Sequence, residues 1–196
     1  DARFTAVVLA GTVSNVAYAV TIYLATINLQ QVRGLSPLAA GLAFLGPSTG
    51  AAIGGTLSGR LAEKRDRMTV MGAGGLAVAA SLVALAFSPN WACYLLALTA
   101  GGFTMGLLYA FTTVATQAVV APEQAGAAAG LTLTSLVTMA GVGVAVSGTA
   151  LETLQRSGMS AGGAISAILL ALAAVLAVAS AAVLMLRSRH TENTRA

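Results

Sequence analysis

The side chains able to carry chemistry are few in this chain, and they stand where catalysis is hard to build. His190 is the one histidine and Cys93 the one cysteine. No Ser–His dyad, HExxH helix or zinc cluster can be assembled from them, so neither an enzyme nor a metal or cofactor site is expected. A lone cysteine excludes an intrachain disulfide. The six carboxylates, Asp1, Glu63, Asp66, Glu123, Glu152 and Glu192, lie at the ends of apolar stretches or beyond them. None sits mid-stretch, where an ionisable group would mark a proton relay; Glu152 comes nearest but reads as interfacial. What remains is uncharged polarity. Asn15, Tyr18 and Ile22 share a helical face by i, i+3, i+7 spacing, and Met105, Tyr109, Thr112 and Thr116 share another, with Thr113 beside it. Thr134, Ser135 and Thr138 form a third cluster. Ser and Thr bond their own helix backbone and glue helices together, whereas Asn15 and Tyr18 are costly to leave in an apolar medium. Asn15, Tyr18, Met105, Tyr109 and Thr112 are therefore the candidate cavity contacts. Apolar walls with a few polar and aromatic groups suit bulky amphipathic ligands better than sugars or ions.

The elements that must position these residues are long and uncharged. The charge-free intervals run 4–32, 34–59, 68–122, 124–151 and 157–186. Each can cross a bilayer, since about 20 apolar residues of helix span its hydrocarbon core. The central one breaks at Ser88-Pro89-Asn90-Trp91, a turn-forming cluster. Six transmembrane helices follow, at roughly 4–29, 37–60, 68–87, 91–119, 123–152 and 162–186. The fold class is an all-α polytopic membrane bundle over 1–186, with a cytoplasmic tail over 187–196. Composition agrees: hydrophobic residues are 57% and charged residues 8%, and mean hydropathy is +0.86. The net charge of +4 does not point to nucleic acid, because the cations sit at membrane edges without aromatic interleaving or a basic groove.

Ser36-Pro37 sets an N-cap before a proline at the first helical position. Pro122-Glu123 opens the fifth span with an acid at a helix N-terminus, and Ser157-Gly158 and Gly162-Gly163 bracket the last loop. With the N-terminus cytoplasmic, Arg3, Arg60, Lys64, Arg65, Arg67, Arg187, Arg189 and Arg195 fall inside and only Arg33 and Arg156 outside. That is the bias expected of a plasma-membrane protein with positive loops inside, and it returns the C-terminus to the cytoplasm. Trp91 and Tyr94 then sit at the outer interface. Small residues recur every fourth position: Gly46, Gly50, Gly54 and Ser58; Gly55 and Gly59; Gly102 and Gly106; Gly126 and Gly130. Such stripes let helix backbones approach closely. Pro47 removes one backbone bond and is expected to bend the second span.

The loop Gly59-Arg60-Leu61-Ala62-Glu63-Lys64-Arg65-Asp66-Arg67 resembles the cytoplasmic motif G-x-L-x-D-R/K-x-G-R/K of the major facilitator superfamily. Gly59, Leu61, Lys64 and Arg67 match it, Glu63 replaces Asp, and Asp66 stands where the family has its second Gly. The resemblance implies a gating latch formed by Arg60, Glu63, Lys64 and Arg67, whose charges pair in one state and part in another. The stretch Gln31–Leu42, containing Arg33-Gly34-Leu35-Ser36-Pro37, and the stretch Pro122–Gly130 are similar to the fourteen-helix drug:proton antiporter branch. The implied protein is a proton-coupled exporter of amphipathic drugs, and this chain its C-terminal half. The resemblance also implies a missing N-terminal half, protons and a small-molecule substrate as partners besides the lipid bilayer. It further implies that the first, second, fourth and fifth helices line the central cavity. A metabolite exporter of another facilitator branch, or a non-transporting scaffold subunit, are the alternatives.

Overall fold

The computed structural model describes residues 2–64, 66–117 and 125–193, and side chains from Gly11 onward except at 67, 114–117, 125, 128 and 186–193. Every regular element among the described residues is helical: α1 (Ala2–Ile27), a π-helical turn (Asn28–Val32), α2 (Pro37–Ala43), α3 (Leu45–Lys64), α4 (Arg67–Ala86), α5 (Trp91–Gln117), α6 (Ala125–Arg156) and α7 (Ala161–Asn193). Six stretches of these are long and apolar enough to cross a membrane: Gly11–Val32, Pro37–Lys64, Met68–Ala86, Trp91–Thr113, Ala129–Arg156 and Ala161–Met185. The six expected spans are thus present. The opening of the fifth at Pro122-Glu123 lies outside the described residues, as does the expected side-chain position of Thr116.

The helix boundaries follow local chemistry. Ser36 caps α2 by accepting from the Ala39 N–H at 3.3 Å, with Pro37 behind it. Asn90 caps α5 through its Oδ1, which accepts from the Cys93 N–H at 2.9 Å. Both satisfy a backbone donor that would otherwise lack a partner. The second span breaks in two at Phe44, whose N–H turns back to the Gly41 carbonyl at 3.1 Å. Pro47 explains the break, because it has no N–H for the Ala43 carbonyl one turn earlier. Glycines with positive φ occur only in turns, Gly34 at +67° before α2 and Gly158 at +93° before α7; a left-handed backbone is easy for a residue without Cβ. Many Ser and Thr hydroxyls bond their own helix, as Thr21 does to the Ala17 carbonyl at 2.6 Å. Ser166 instead reaches from α7 to the Ala86 carbonyl of α4 at 3.0 Å.

Helices α1, α4 and α5 form the centre, with α3 packed on α5, α7 on α4 and α6 on α1. Leu24 of α1, Leu29 of the π turn, Met71 and Leu82 of α4, Leu108 and Phe111 of α5, and Ile165 and Leu176 of α7 are all fully buried. The closest seam joins α3 to α5. A Cβ on Gly50 would come within 2.6 Å of the Thr99 carbonyl oxygen, and one on Gly106 within 2.5 Å of the Ala51 Cα. Gly54 likewise abuts the Phe103 backbone, and Gly102 the Pro47 backbone. Two of the small-residue stripes therefore face each other and let main chain meet main chain, which is how apolar helices associate where no hydrophobic effect separates them from lipid.

Candidate functional site

Four helices converge on a cavity of about 440 Å³. Asn15 and Tyr18 come from α1, Ala51 and Gly55 from α3, Met105, Gly106, Tyr109 and Ala110 from α5, and Val137 and Ala140 from α6. These are the first, second, fourth and fifth spans. The arrangement depends on the α3–α5 seam: with both helices held at backbone distance, small residues on their flanks (Gly55, Gly106, Ala110) leave volume beside them.

Asn15, Tyr18, Met105 and Tyr109 line this one cavity. Thr112 does not. It is 1% exposed, its hydroxyl donates to the Leu108 carbonyl at 2.8 Å and lies 3.8 Å from the Met71 sulfur of α4. Its methyl and hydroxyl fill the space where a Cβ on Gly11 would go. The reason is angular. At about 100° per residue, the lining positions on α5 sweep from Met105 through Tyr109 and Gly106 to Ala110, and Thr112 falls just outside that arc, turned toward α1 and α4. The polar cluster on α6 is likewise displaced: Thr134, Ser135 and Thr138 are exposed, and Val137 and Ala140 line the cavity instead. Nothing in the sequence distinguishes those two apolar residues from their neighbours.

The cavity walls are mostly hydrocarbon. Their polar groups are the Asn15 amide and the two tyrosine hydroxyls. Asn15 spends one N–H on the Leu136 carbonyl of α6, at 2.9 Å. An amide has two N–H donors and a carbonyl oxygen, so this bond ties α1 to α6 and still leaves hydrogen-bonding capacity for a ligand. No Asp, Glu, Lys or Arg is among the lining residues, and no three His, Cys, Asp or Glu among the described residues cluster as a metal site would require. The arrangement offers apolar contact, two aromatic rings and a small number of hydrogen bonds.

At the opposite extreme in polarity is the α3–α4 connection. Arg60, Glu63 and Lys64 are exposed on the last turns of α3, and Arg67 opens α4 with its side chain outside the described residues. Asp66 has an extended backbone (φ −60°, ψ 132°) and caps α4, accepting from the Thr69 N–H at 3.1 Å and the Thr69 hydroxyl at 2.9 Å. The position that resembles a motif glycine therefore needs no left-handed conformation here. A capping aspartate replaces it.

The family model described as Major Facilitator Superfamily matches residues 5–195. No curated protein matches the chain.

Proposed function

Because the chain belongs to the major facilitator superfamily, a family of membrane transporters, we propose that it forms one six-helix half of an exporter for bulky amphipathic molecules. The observation that carries this reading is the composition of the 440 Å³ cavity: apolar walls from four helices, two tyrosines and one asparagine, with no charged side chain lining it. Such a site rejects sugars, which need many paired hydrogen bonds, and small ions, which need a full polar shell. It suits a flat lipophilic cation, because Tyr18 and Tyr109 line it and the face of a tyrosine ring attracts positive charge by about 0.5–2 kcal/mol. A metabolite exporter would share the helical frame but calls for more hydrogen-bonding groups in the cavity, and a scaffold calls for no cavity.

In this reading the half rocks against a second six-helix half, which closes the open side of the site and contributes the carboxylate through which a proton gradient drives the cycle. The α3–α5 pair, in backbone contact, moves as one piece. The charged residues Arg60, Glu63, Lys64 and Arg67 at the α3–α4 turn latch the cytoplasmic ends in one state and release them in the other. The excess of cations on that side supports a cytoplasmic turn and C-terminus, in keeping with a plasma-membrane exporter.

The test is ethidium efflux from cells expressing the transporter that contains this chain. Tyr18→Leu and Asn15→Leu are each expected to lower efflux about 5- to 10-fold at equal expression. Efflux at the parent rate in both variants would return the two residues to packing and remove the substrate reading.

A further inference from the structure

Helix α1 ends in the π turn Asn28–Val32, and π turns bring residues five apart into register rather than four. That spacing sets Arg33 against Asn28. The Arg33 main-chain N–H donates to the Asn28 carbonyl at 2.9 Å, and Arg33 Nε donates to Asn28 Oδ1 at 3.0 Å. The same guanidinium lies 4.5 Å from the centroid of the Tyr94 ring and 5.7 Å from that of Trp91, both on the first turn of α5. Tyr94 is 3% exposed and Trp91 38%, so the cation is held by one buried ring and one surface ring. Both distances are within cation–π range. A planar guanidinium can stack on a ring while its edge donates to an amide, which a lysine cannot do.

At their other ends the same two helices meet again, where Gly11 of α1 takes up the Thr112 side chain with no room for a Cβ. Asn15 and Tyr18 lie on α1 between these two fastenings, and Met105 and Tyr109 lie on α5 between them. We propose that Arg33 is a positioning residue for transport: it pins the outer end of α1 to the outer end of α5 and so sets the spacing of the cavity walls. The inference rests on the cavity being the substrate site. Arg33 touches no cavity residue and acts only through the helices it joins.

Trp91 is the single tryptophan of the chain, so its fluorescence reports on this cluster alone, and the exposed native Cys93 pairs with a label at Gln30→Cys on the end of α1. In the purified full chain, Arg33→Gln is expected to broaden the label-to-label distance and to raise acrylamide quenching of Trp91 about two-fold. Arg33→Lys, which keeps the charge but loses the fork, should fall between the two. In the transporter that contains the chain, Arg33→Gln should raise the KM for ethidium roughly five-fold with Vmax little changed. Asn28→Ala removes only the acceptor, should move the same readouts less, and replaces Arg33→Gln if that variant does not fold. Unchanged label distances in both variants would overturn the inference. Broadened distances with an unaltered KM would also overturn it, by reducing Arg33 to a structural staple. If the parent moves no ethidium while Arg33→Gln still broadens the distances, the substrate reading fails and takes the transport role of Arg33 with it, leaving only the contact between α1 and α5.

Discussion

The α3–α5 seam and the outer surface of α6 are built from the same small-residue vocabulary and end up opposite in character. Gly50, Gly54, Gly102 and Gly106 meet backbone atoms of the facing helix. Gly126, Gly130 and Gly141 on α6 have nothing within 4 Å of where a Cβ would stand. The apolar side chains divide the same way: Leu107 and Leu108 of α5 are buried, while Leu131 and Val146 of α6 are 72% and 62% exposed. A four-residue repeat of glycine is therefore a necessary condition for a seam and not a sufficient one. A second stripe must arrive opposite it, at the right depth and in the right phase.

The largest effect that tests this contrast is Gly54→Val. The new side chain would run into the Phe103 carbonyl, a backbone atom that cannot move aside, and the cost should reach about 3 kcal/mol or more. The expected result is loss of the monodisperse peak of the detergent-purified chain. A folded Gly54→Val protein melting at the parent temperature would show that the seam is loose. Asp66→Ala comes next. Removing the carboxylate that caps α4 should cost about 1 kcal/mol, and Asp66→Gly only a few tenths, read as a two-step order of melting temperatures. If glycine were the worse of the two, the turn would depend on Asp66 in some way other than capping. The smallest effect is Gly130→Ala on the open face of α6. Alanine gains helix propensity and meets no neighbour, so the variant should be more stable by about 0.5–1 kcal/mol, and a loss of stability would reveal a hidden contact on α6.

Much of the fold was legible because the solvent is hydrocarbon. Charges at 33, 60–67, 123, 152–156 and 187 onward partition a chain into spans with little ambiguity, since an unpaired ion inside the bilayer is costly. The break in the second span was legible from Pro47, although it falls at Phe44, where the missing bond is felt, rather than at the proline itself. The cavity was legible in part. Asn15, Tyr18, Met105 and Tyr109 stand out as polar, aromatic or sulfur-bearing residues in apolar helices, and they do meet. Thr112 had the same credentials and turned inward, because a step of seven residues drifts by about 20° and a cavity edge is sharper than that. Val137 and Ala140 carried no signal at all. The Arg33 cluster was hidden for a different reason: an i, i+5 relation between Asn28 and Arg33 means nothing in an α-helix and becomes a contact only once the π turn exists.

The order of amino acids alone determined that this chain lives in a membrane, how many times it crosses, and where capped helices such as α2 and α5 start, because those outcomes depend on local transfer and capping free energies. Which stripe of glycines finds a partner, which threonine faces a cavity and which arginine is caged depend on the rotation and depth of helices relative to one another. Those are decided by the whole packing at once, since hydrocarbon is indifferent to which apolar face a helix presents, and only close contact between particular surfaces breaks the tie.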